Sequence, residues 1–176
     1  MTGTDLPLLV VVGGPPGAGK STIARALADE LSLPLVAKDD FKELLFGFLP
    51  AGTVEESRLL GQVAWELLFQ VAGETLGAGG SVVVEGNFSD AEPFARLPPA
   101  RLVQVHLSAP PEVLIDRYLF RPRHPGHQTE AYEPEIRARI AAGDWEPLPL
   151  AGTLIRVDMG ANPADVQALV ARMKIT

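Results

Sequence analysis

Short runs of apolar residues alternate along the chain with longer segments whose apolar positions recur every three or four residues. Five runs are continuous and rich in β-branched residues, as expected of strands that are buried on both faces: 8–12, 35–37, 81–86, 101–107 and 153–158. Helical spacing predicts helices over the remaining segments: 20–31, 40–48, 53–76, 111–120, 135–142 and a last segment that begins near 162. This alternation predicts an α/β fold, with a five-stranded parallel sheet and helices on both of its faces.

Three residue pairs have the spacing that begins a helix: Thr53 with Glu56, Asp40 with Glu43, and Asn162 with Pro163. The first pair is a capping box for the long third helix. The second pair predicts Asp40 as the N-cap of the second helix, which leaves Asp39 without a structural role. The third pair predicts an N-cap and a first-turn proline for the last helix.

The composition restricts the class of protein. With 176 residues, 47% of them hydrophobic and 21% charged, we expect one domain that spans 1–176 and includes a short lid at about 117–130. No apolar run approaches the roughly 20 residues that a membrane helix needs, so we expect no membrane partner. The absence of cysteine favours the cytoplasm. The net charge of −7 speaks against a nucleic-acid partner, and we expect a monomer or a homodimer.

The clearest motif is GPPGAGKS at 14–21, which matches GxxxxGK[ST] between a strand and a helix. The backbone amides of such a loop and the N-terminus of its helix bind phosphate. We therefore expect Lys20 to contact the β- and γ-phosphates of ATP, with GTP as the alternative, and Ser21 to ligate Mg²⁺. The bland alternative is a Gly/Pro turn with an exposed lysine. The predicted nucleotide-binding residues are Gly14, Pro15, Pro16, Gly17, Ala18, Gly19, Lys20, Ser21 and Thr22.

Acidic residues follow the second and third strands, at the sheet edge where ligands gather in open parallel sheets. Asp39 could accept the proton of a substrate hydroxyl, with Lys38 or Lys42 keeping it ionised. The alternative is that Asp39 is a solvated residue at a helix start. Glu85 is placed to hold Mg²⁺ through water or to orient substrate, or else it is solvated. The nearby Asn87 can bond either the substrate or the phosphate loop.

A segment rich in arginine, proline and histidine follows the fourth strand and its helix. Arg117 and Arg121 are four residues apart on one helix face, and Arg123 follows them. We expect these three arginines to neutralise charge as a phosphoryl group is transferred, the alternative being a solvated arginine face. His124 and His127 are predicted to contact substrate or to shape the turn rather than to bind metal, because no acid or cysteine cluster accompanies them.

Four segments together resemble the small P-loop kinases of the AAA-type ATPase domain group: GPPGAGKST, KDDFK, VVVEGNF and RPRHPGH. This group includes the kinase domain of polynucleotide kinase and is similar to chloramphenicol phosphotransferase and zeta toxin. The resemblance covers roughly 7–160 and implies the strand order 2-3-1-4-5, with Asp39 as the general base. Lys42 stands where polynucleotide kinases carry an arginine that contacts substrate phosphate, and Glu85 stands where they carry an aspartate.

The favoured hypothesis is an ATP- and Mg²⁺-dependent phosphotransferase that moves the γ-phosphate to a hydroxyl of a small molecule, such as a nucleoside, a sugar or an antibiotic-like compound. Lys20, Asp39 and the three arginines are the expected catalytic residues. The expected substrate-binding residues are Asp39, Lys42, Glu85, Asn87, His124 and His127. One alternative is a kinase of nucleic-acid 5′-hydroxyls, against which the acidic charge and Lys42 speak. Another is an ATPase switch, although the NKxD and DxxG motifs of GTPases do not occur in the sequence.

Overall fold

Five parallel strands form one sheet: β1 Leu8–Gly13, β2 Leu35–Ala37, β3 Val82–Glu85, β4 Arg101–Ser108 and β5 Thr153–Asp158. The computed structural model describes residues 6–160 and 164–174. The strand order is β2-β3-β1-β4-β5, so β1 lies in the middle, with Val10 in register with Val83 and Val103. Both faces of β1 are covered, which explains its continuous hydrophobic run. The predicted fold class and strand order are confirmed.

In the described part of the chain, six α-helices and two 3₁₀ turns accompany the strands, with α6 following the last strand: α1 Lys20–Leu31, α2 Lys38–Phe46, α3 Val54–Gly77, α4 Pro111–Phe120, α5 Thr129–Ala142 and α6 Val166–Lys174, with turns at Glu92–Arg96 and Pro125–His127. Alternate side chains of β1 point to opposite faces of the sheet. Val10 and Val12 pack with residues of α1 and α6, whereas Leu9 and Val11 pack with residues of α3. An apolar core therefore lies on each face.

The second helix begins earlier than its sequence pattern suggested, and this changes the position of Asp39. Helix α2 starts at Lys38, directly after β2, and no side chain caps it. The prediction of Asp40 as N-cap is therefore wrong, because its carboxylate instead receives hydrogen bonds of 3.1 and 3.2 Å from Arg25 of α1. The helix ends at Phe46, two residues before the predicted end. Asp39 consequently lies in the first turn of α2, at the carboxyl edge of the sheet.

Helix α5 is longer than predicted. It begins at Thr129 and contains Pro134, where local propensity would place the start at 135. Tertiary contacts stabilise the additional turns. The Tyr132 hydroxyl donates to the Val54 carbonyl at 3.2 Å, and the Tyr118 hydroxyl donates to the Thr129 carbonyl at 3.4 Å. The helix therefore tolerates the loss of the backbone hydrogen bond that Pro134 cannot donate.

The starts of α1, α3 and α4 agree with prediction, whereas α6 begins at Val166, later than predicted, and the Asp165 side chain accepts the Ala168 amide there at 3.1 Å. Thr53 and Glu56 form the predicted capping box at the start of α3, with each side chain bonded to the other residue's amide. The predicted start of the last helix, at Asn162 and Pro163, lies outside the described residues. Across 6–160 and 164–174, no helix combines the length and the apolar character that crossing a membrane requires.

Candidate active site

The loop between β1 and α1 owes its conformation to backbone geometry. Gly14, Gly17 and Gly19 have φ angles of 131°, 83° and 84°, in the region that favours glycine. A Cβ atom at Gly14 would collide with the Leu107 carbonyl of β4, and one at Gly17 would collide with the Leu114 carbonyl of α4. The glycines therefore let the loop pack tightly against its neighbours. The loop amides are thereby held at the N-terminus of α1, where phosphate binds.

Lys20, the first residue of α1, is folded over this loop, and its ammonium donates to the Pro15 carbonyl at 2.9 Å. Desolvation lowers the pKa of Lys20 to about 8, and the carboxylates of Glu85 and Asp39 oppose that shift only in part. An incoming phosphate would supply the missing negative charge and raise the pKa again. This environment of the Lys20 ammonium is consistent with the predicted contact between Lys20 and a nucleotide.

Ser21 and Glu85 meet at the base of the site, although they are 64 positions apart in the chain. The Ser21 hydroxyl donates to the Glu85 carboxylate at 3.3 Å. Glu85 is buried at the end of β3, and this burial raises its pKa, which Lys20 partly offsets. A hydroxyl beside a carboxylate suits Mg²⁺, and a bound cation would keep Glu85 ionised. Within the described ranges no group of three or more acidic or histidine residues could hold a metal alone.

Asp39 lies between two cations. One carboxylate oxygen is 3.2 Å from the Lys38 ammonium, and the other accepts a hydrogen bond of 2.9 Å from the Arg123 guanidinium. Burial alone would raise the pKa of Asp39, but Lys38 and Arg123 outweigh it and hold the pKa well below its ordinary range. The side chain is still 29% exposed. The Asp39 carboxylate is therefore ionised, and its exposed part is accessible to a hydroxyl group from solvent.

Lys42 lies one helical turn after Lys38 and is only 6% exposed. Its ammonium donates to a neutral partner, the Ser57 hydroxyl of α3, at 2.8 Å. Burial, with a smaller contribution from Lys38, lowers the pKa of Lys42 to about 8. Both ammonium groups lie beside Gly61 of α3, where an added Cβ atom would make only an ordinary contact of 3.8 Å with each nitrogen. The two lysines form a positively charged wall beside Asp39.

Two of the three predicted lid arginines line the same cleft as Asp39, and the third does not. Arg121 and Arg123 reach it from the segment after α4. The exposed Arg117 guanidinium instead donates to the Met159 carbonyl, just after β5, at 3.1 Å. The end of the Met159 side chain would lie 3.4 Å from a Cβ atom at Gly19. Arg117 therefore supports a segment that borders the phosphate loop, and its catalytic role stays a prediction.

The two lid histidines have different surroundings. Nδ1 of His124 accepts a hydrogen bond of 3.1 Å from the Gly126 amide. The His124 ring stacks on Phe46, with ring centroids 4.8 Å apart. His127 lines the cleft, its Nε2 lies 2.8 Å from the Glu43 carboxylate, and burial lowers its pKa. Burial thus favours the neutral form of the His127 ring. Both contacts attach the predicted lid segment to α2, the helix that carries the predicted base.

These residues enclose a cleft of about 270 Å³ at the carboxyl edge of the sheet. Seven cationic side chains line it against three carboxylates, although the chain as a whole carries −7. Further lining residues come from α3, α4 and α5: Ser57, Arg58, Gly61, Gln62, Trp65, Tyr118, Tyr132, Glu135, Ile136 and Arg139. No local spacing distinguishes these positions in the sequence, because helix packing alone turns them toward the cleft.

The predicted nucleotide-binding loop contributes to the cleft unevenly. Five of its residues line the cleft: Pro16, Gly17, Gly19, Lys20 and Ser21. Gly14, Pro15 and Ala18 are buried, and Thr22 is exposed on α1. Outside the loop, Lys42, Glu85 and Asn87 line the cleft, and His124 does not. The structure therefore gathers most of the predicted residues at one place.

A family described as an AAA domain matches residues 10–138 of the chain. The chain belongs to this AAA-domain family. Uncharacterised proteins of Mycobacterium bovis and Mycobacterium tuberculosis are 29% identical to it over 155 residues, which covers 78% of this chain. The chain spans about a third of the length of these curated relatives, since the match covers 30% of each.

Solved structures share the fold of this AAA-domain chain over nearly its whole length. A candidate kinase from Chloroflexus aurantiacus j-10-fl is 35% identical with a TM-score of 0.85, covering 97% of this chain and 98% of its own. A sugar kinase from Janibacter sp. HTCC2649 is 23% identical with a TM-score of 0.60, covering 95% and 91%. At that identity the second likeness shows the fold alone. The chain therefore has the fold of the P-loop kinases, and this fold implies nucleotide binding.

Proposed function

We propose that this P-loop kinase uses ATP and Mg²⁺ and transfers the γ-phosphate of ATP to a hydroxyl group of a small molecule. The observation that carries the proposal is the Asp39 carboxylate, which shares a cleft with Lys20 and is held there by Lys38 and Arg123. A nucleotide switch needs no fixed carboxylate beside its phosphate site, whereas a kinase uses one to receive the acceptor hydroxyl.

The phosphate loop would hold the β- and γ-phosphates through its amides and through Lys20. Ser21, supported by Glu85 at 3.3 Å, would ligate Mg²⁺, which neutralises phosphate charge when it is bound. ATP is the proposed donor because the NKxD motif that reads guanine does not occur in the sequence. In this proposal, the loop amides, Lys20, Ser21 and Glu85 are sufficient to hold the nucleotide and its cation.

Asp39 would accept a hydrogen bond from the acceptor hydroxyl and orient it toward the γ-phosphorus. Because its pKa is held low, the carboxylate is a weak base toward a free alcohol. Proton transfer is therefore late: the hydroxyl proton moves to Asp39 as the new O–P bond forms and the bond from the γ-phosphorus to ADP breaks. The proton then passes to solvent, and Lys38 and Arg123 favour the return of the anion.

The arginines divide the remaining work in this proposal. Arg121 and Arg123 would bind the transferring phosphoryl group, where charge changes most in the transition state. Arg123 would also fix the Asp39 carboxylate through the bond already present. Arg117 would act from the nucleotide side, by holding Met159 near the phosphate loop.

Lys42, Asn87 and His127 would bind the acceptor, since all three line the cleft. His124 would contribute by shaping the turn. The volume of about 270 Å³ suits the reacting end of a small molecule. The seven cationic side chains favour one second candidate, a kinase of nucleic-acid 5′-hydroxyls. That candidate predicts oligonucleotide binding that weakens steeply as salt rises.

The test is phosphoryl transfer from radiolabelled ATP, with Mg²⁺, to a panel of nucleosides, sugars and aminoglycosides and to a 5′-hydroxyl oligonucleotide. With the best acceptor, Asp39→Asn should lower kcat by about 10² to 10⁴ while the KM for ATP stays unchanged. Asp40→Asn is the matched control, because Asp40 pairs with Arg25 outside the cleft, and it should retain full activity. Full activity of the Asp39→Asn variant would remove the proposed base.

A further inference from the structure

A second cavity, larger than the cleft, adjoins it at Trp65. Its volume is about 510 Å³. Residues of α3 from Trp65 to Glu74 form one wall, and residues from Phe88 to Pro98 form the other. Trp65 lines both cavities, so the two are neighbours across one side chain. The predicted chemistry of the cleft makes no use of this second space.

Three aromatic rings line the second cavity. Trp65 and Phe69 are stacked with centroids 6.3 Å apart, and Phe88 lies 5.0 Å from Trp65. The buried Phe94 packs against Phe69 and Phe88 at 5.1 Å from each and so fixes their orientation. Trp65 and Phe69 are only partly buried. Rings that are held by one another and still present free surface are suited to a flat apolar ligand.

One continuous segment serves both cavities. Glu85, Gly86 and Asn87 line the cleft, and the next residue, Phe88, lines the second cavity. Gly86 allows this arrangement, because a Cβ atom there would approach the Trp65 ring to 2.5 Å. The Trp65 ring can therefore lie directly against the backbone of Gly86, which follows the end of β3. The Trp65 ring therefore separates the two cavities, and a ligand that occupies both would pass its edge.

The Trp65 ring, which both cavities share, lies close to Asp39. The Lys38 ammonium lies 5.8 Å from the Trp65 ring centroid and 3.2 Å from an Asp39 oxygen. The ring centroid is therefore at most 9.0 Å from that oxygen, which is the total of the two distances. A hydroxyl at Asp39 and a flat ring near Trp65 could belong to one compound with a short arm between them.

The charges at the second cavity differ from those of the cleft. Three carboxylates line it, those of Glu66, Glu74 and Asp90. One guanidinium lines it, that of Arg96, and Glu92 already neutralises this group at 2.7 Å. A negatively charged ring would be repelled here, whereas a neutral or positively charged ring would not.

We propose that the second cavity binds the flat ring of the phosphoryl acceptor. The acceptor is then an aromatic or heteroaromatic alcohol, with a neutral or cationic ring and a hydroxyl on a short arm that reaches Asp39. This class includes nucleosides and excludes plain sugars as the preferred substrate. The inference rests on the proposed function, since it names the acceptor of that same site.

Acceptor pairs that differ only in the ring test the inference. Adenosine should show a kcat/KM roughly ten- to a hundredfold above that of methyl β-ribofuranoside, which keeps the sugar hydroxyls and lacks the base. The cationic 4-(aminomethyl)benzyl alcohol should be preferred to the anionic 4-(hydroxymethyl)benzoate. Equal kcat/KM values within both pairs would contradict the proposed class.

A matched pair of glycine variants tests the position of the ring. Gly73 lines the second cavity, and a Cβ atom there meets only an ordinary contact of 3.7 Å with Leu97, so Gly73→Met should fold and fill the space. It should abolish the preference for adenosine over the riboside without changing the KM for ATP. Gly77→Met, at the end of the same helix and outside the cavity, should preserve the preference. If Gly73→Met fails to fold by circular dichroism, Phe69→Leu replaces it.

Fluorescence gives a readout that does not need turnover. The chain has two tryptophans, so Trp145→Phe leaves Trp65 as the reporter. Adenosine should change the Trp65 emission in a saturable way, the riboside should not, and Gly73→Met should remove the response. Efficient phosphorylation of the riboside with no emission change by adenosine would overturn the inference and leave the proposed function intact. A saturable response without transfer to any alcohol would support the ring site and overturn the proposed function instead.

Discussion

The two halves of the cleft are built in different ways. The nucleotide half comes almost entirely from 14–22, where backbone dihedrals and a helix N-terminus form the phosphate site. The proposed acceptor half, around Asp39, comes from side chains of α2, α3 and the segment after α4. Its central contact joins Asp39 to Arg123, which are 84 positions apart. Local conformation holds the first half together, whereas ion pairs and helix packing hold the second.

The difference shows how a chain can prepare two neighbouring sites for different ligands. In the nucleotide half, the glycines pack against β4 and α4, and Lys20 bonds to a neutral carbonyl. In the acceptor half, one carboxylate is held between Lys38 and Arg123, and Lys42 bonds to a hydroxyl. Each half thus contains an ammonium group with a pKa of about 8 and a neutral partner. Three predictions test how far the halves differ.

The largest expected effect separates two arginines of the same segment. Arg123→Met should lower kcat/KM for the acceptor about 100-fold. The substitution removes the positive charge proposed to stabilise the transferring phosphoryl group, and it removes the hydrogen bond that holds the Asp39 carboxylate. Arg117→Met should cost less than about threefold, since Arg117 contacts only the segment beside the phosphate loop. Steady-state kinetics with both substrates give the comparison. Equal losses in the two variants would erase the distinction between the halves.

The second prediction concerns pH. Burial lowers the pKa of Lys42 to about 8, so the ammonium is present below that pH and is lost above it. At saturating ATP, where phosphates already pair with Lys20, kcat/KM for the acceptor should fall toward tenfold per pH unit above about pH 8. Lys42→Met should give a lower kcat/KM that no longer changes between pH 8 and 9. An unchanged alkaline limb in this variant would assign the titration to another group.

The smallest expected effect is on stability. The pKa of Lys42 is about 8 in the folded protein and 10.5 in its ordinary state, so burying the ammonium costs stability below pH 8, and this cost disappears as pH rises toward 10.5. Lys42→Met should therefore stabilise the protein at pH 7 by on the order of 1 kcal/mol, after the lost bond to Ser57 is allowed for. Thermal unfolding should show a Tm higher by roughly 2–4 °C.

Lys38→Met is the control for that measurement. Lys38 is also buried, but it neutralises Asp39 at 3.2 Å, so its removal should lower the Tm. Opposite shifts in the two variants would show that a buried lysine in this cleft is stabilising only where a carboxylate accompanies it. A decrease in both would mean that the Ser57 contact outweighs the cost of burying Lys42.

Most of the fold follows from local patterns. Continuous apolar runs located all five strands, and Thr53 with Glu56 located the start of α3. The errors occurred where a long-range contact overrides a local preference. Asp40 looked like an N-cap because of its spacing from Glu43, yet it pairs with Arg25 of another helix. The start of α5 was missed because Pro134 lowers helix propensity, which contacts of Tyr132 overcome.

The candidate site divides in the same way. Its phosphate loop and the acids at strand ends were predictable, because a parallel sheet brings the carboxyl ends of its strands to one edge. The residues that α3 and α5 add were not predictable. Arg58, Gln62 and Arg139 occupy ordinary helix positions, and only the packing of those helices turns them toward the cleft.

By itself, the sequence determined the five strands and a phosphate loop, because periodicity and the eight-residue motif at 14–21 act over distances of a few residues, whereas the strand order was implied by the family resemblance. Only the tertiary structure decided that Asp39 lies between Lys38 and Arg123, that Arg117 lies apart from them, and that a second cavity adjoins the cleft. The physical reason is that charge pairing and cavity shape depend on side chains that are distant in the chain and meet only when the helices pack.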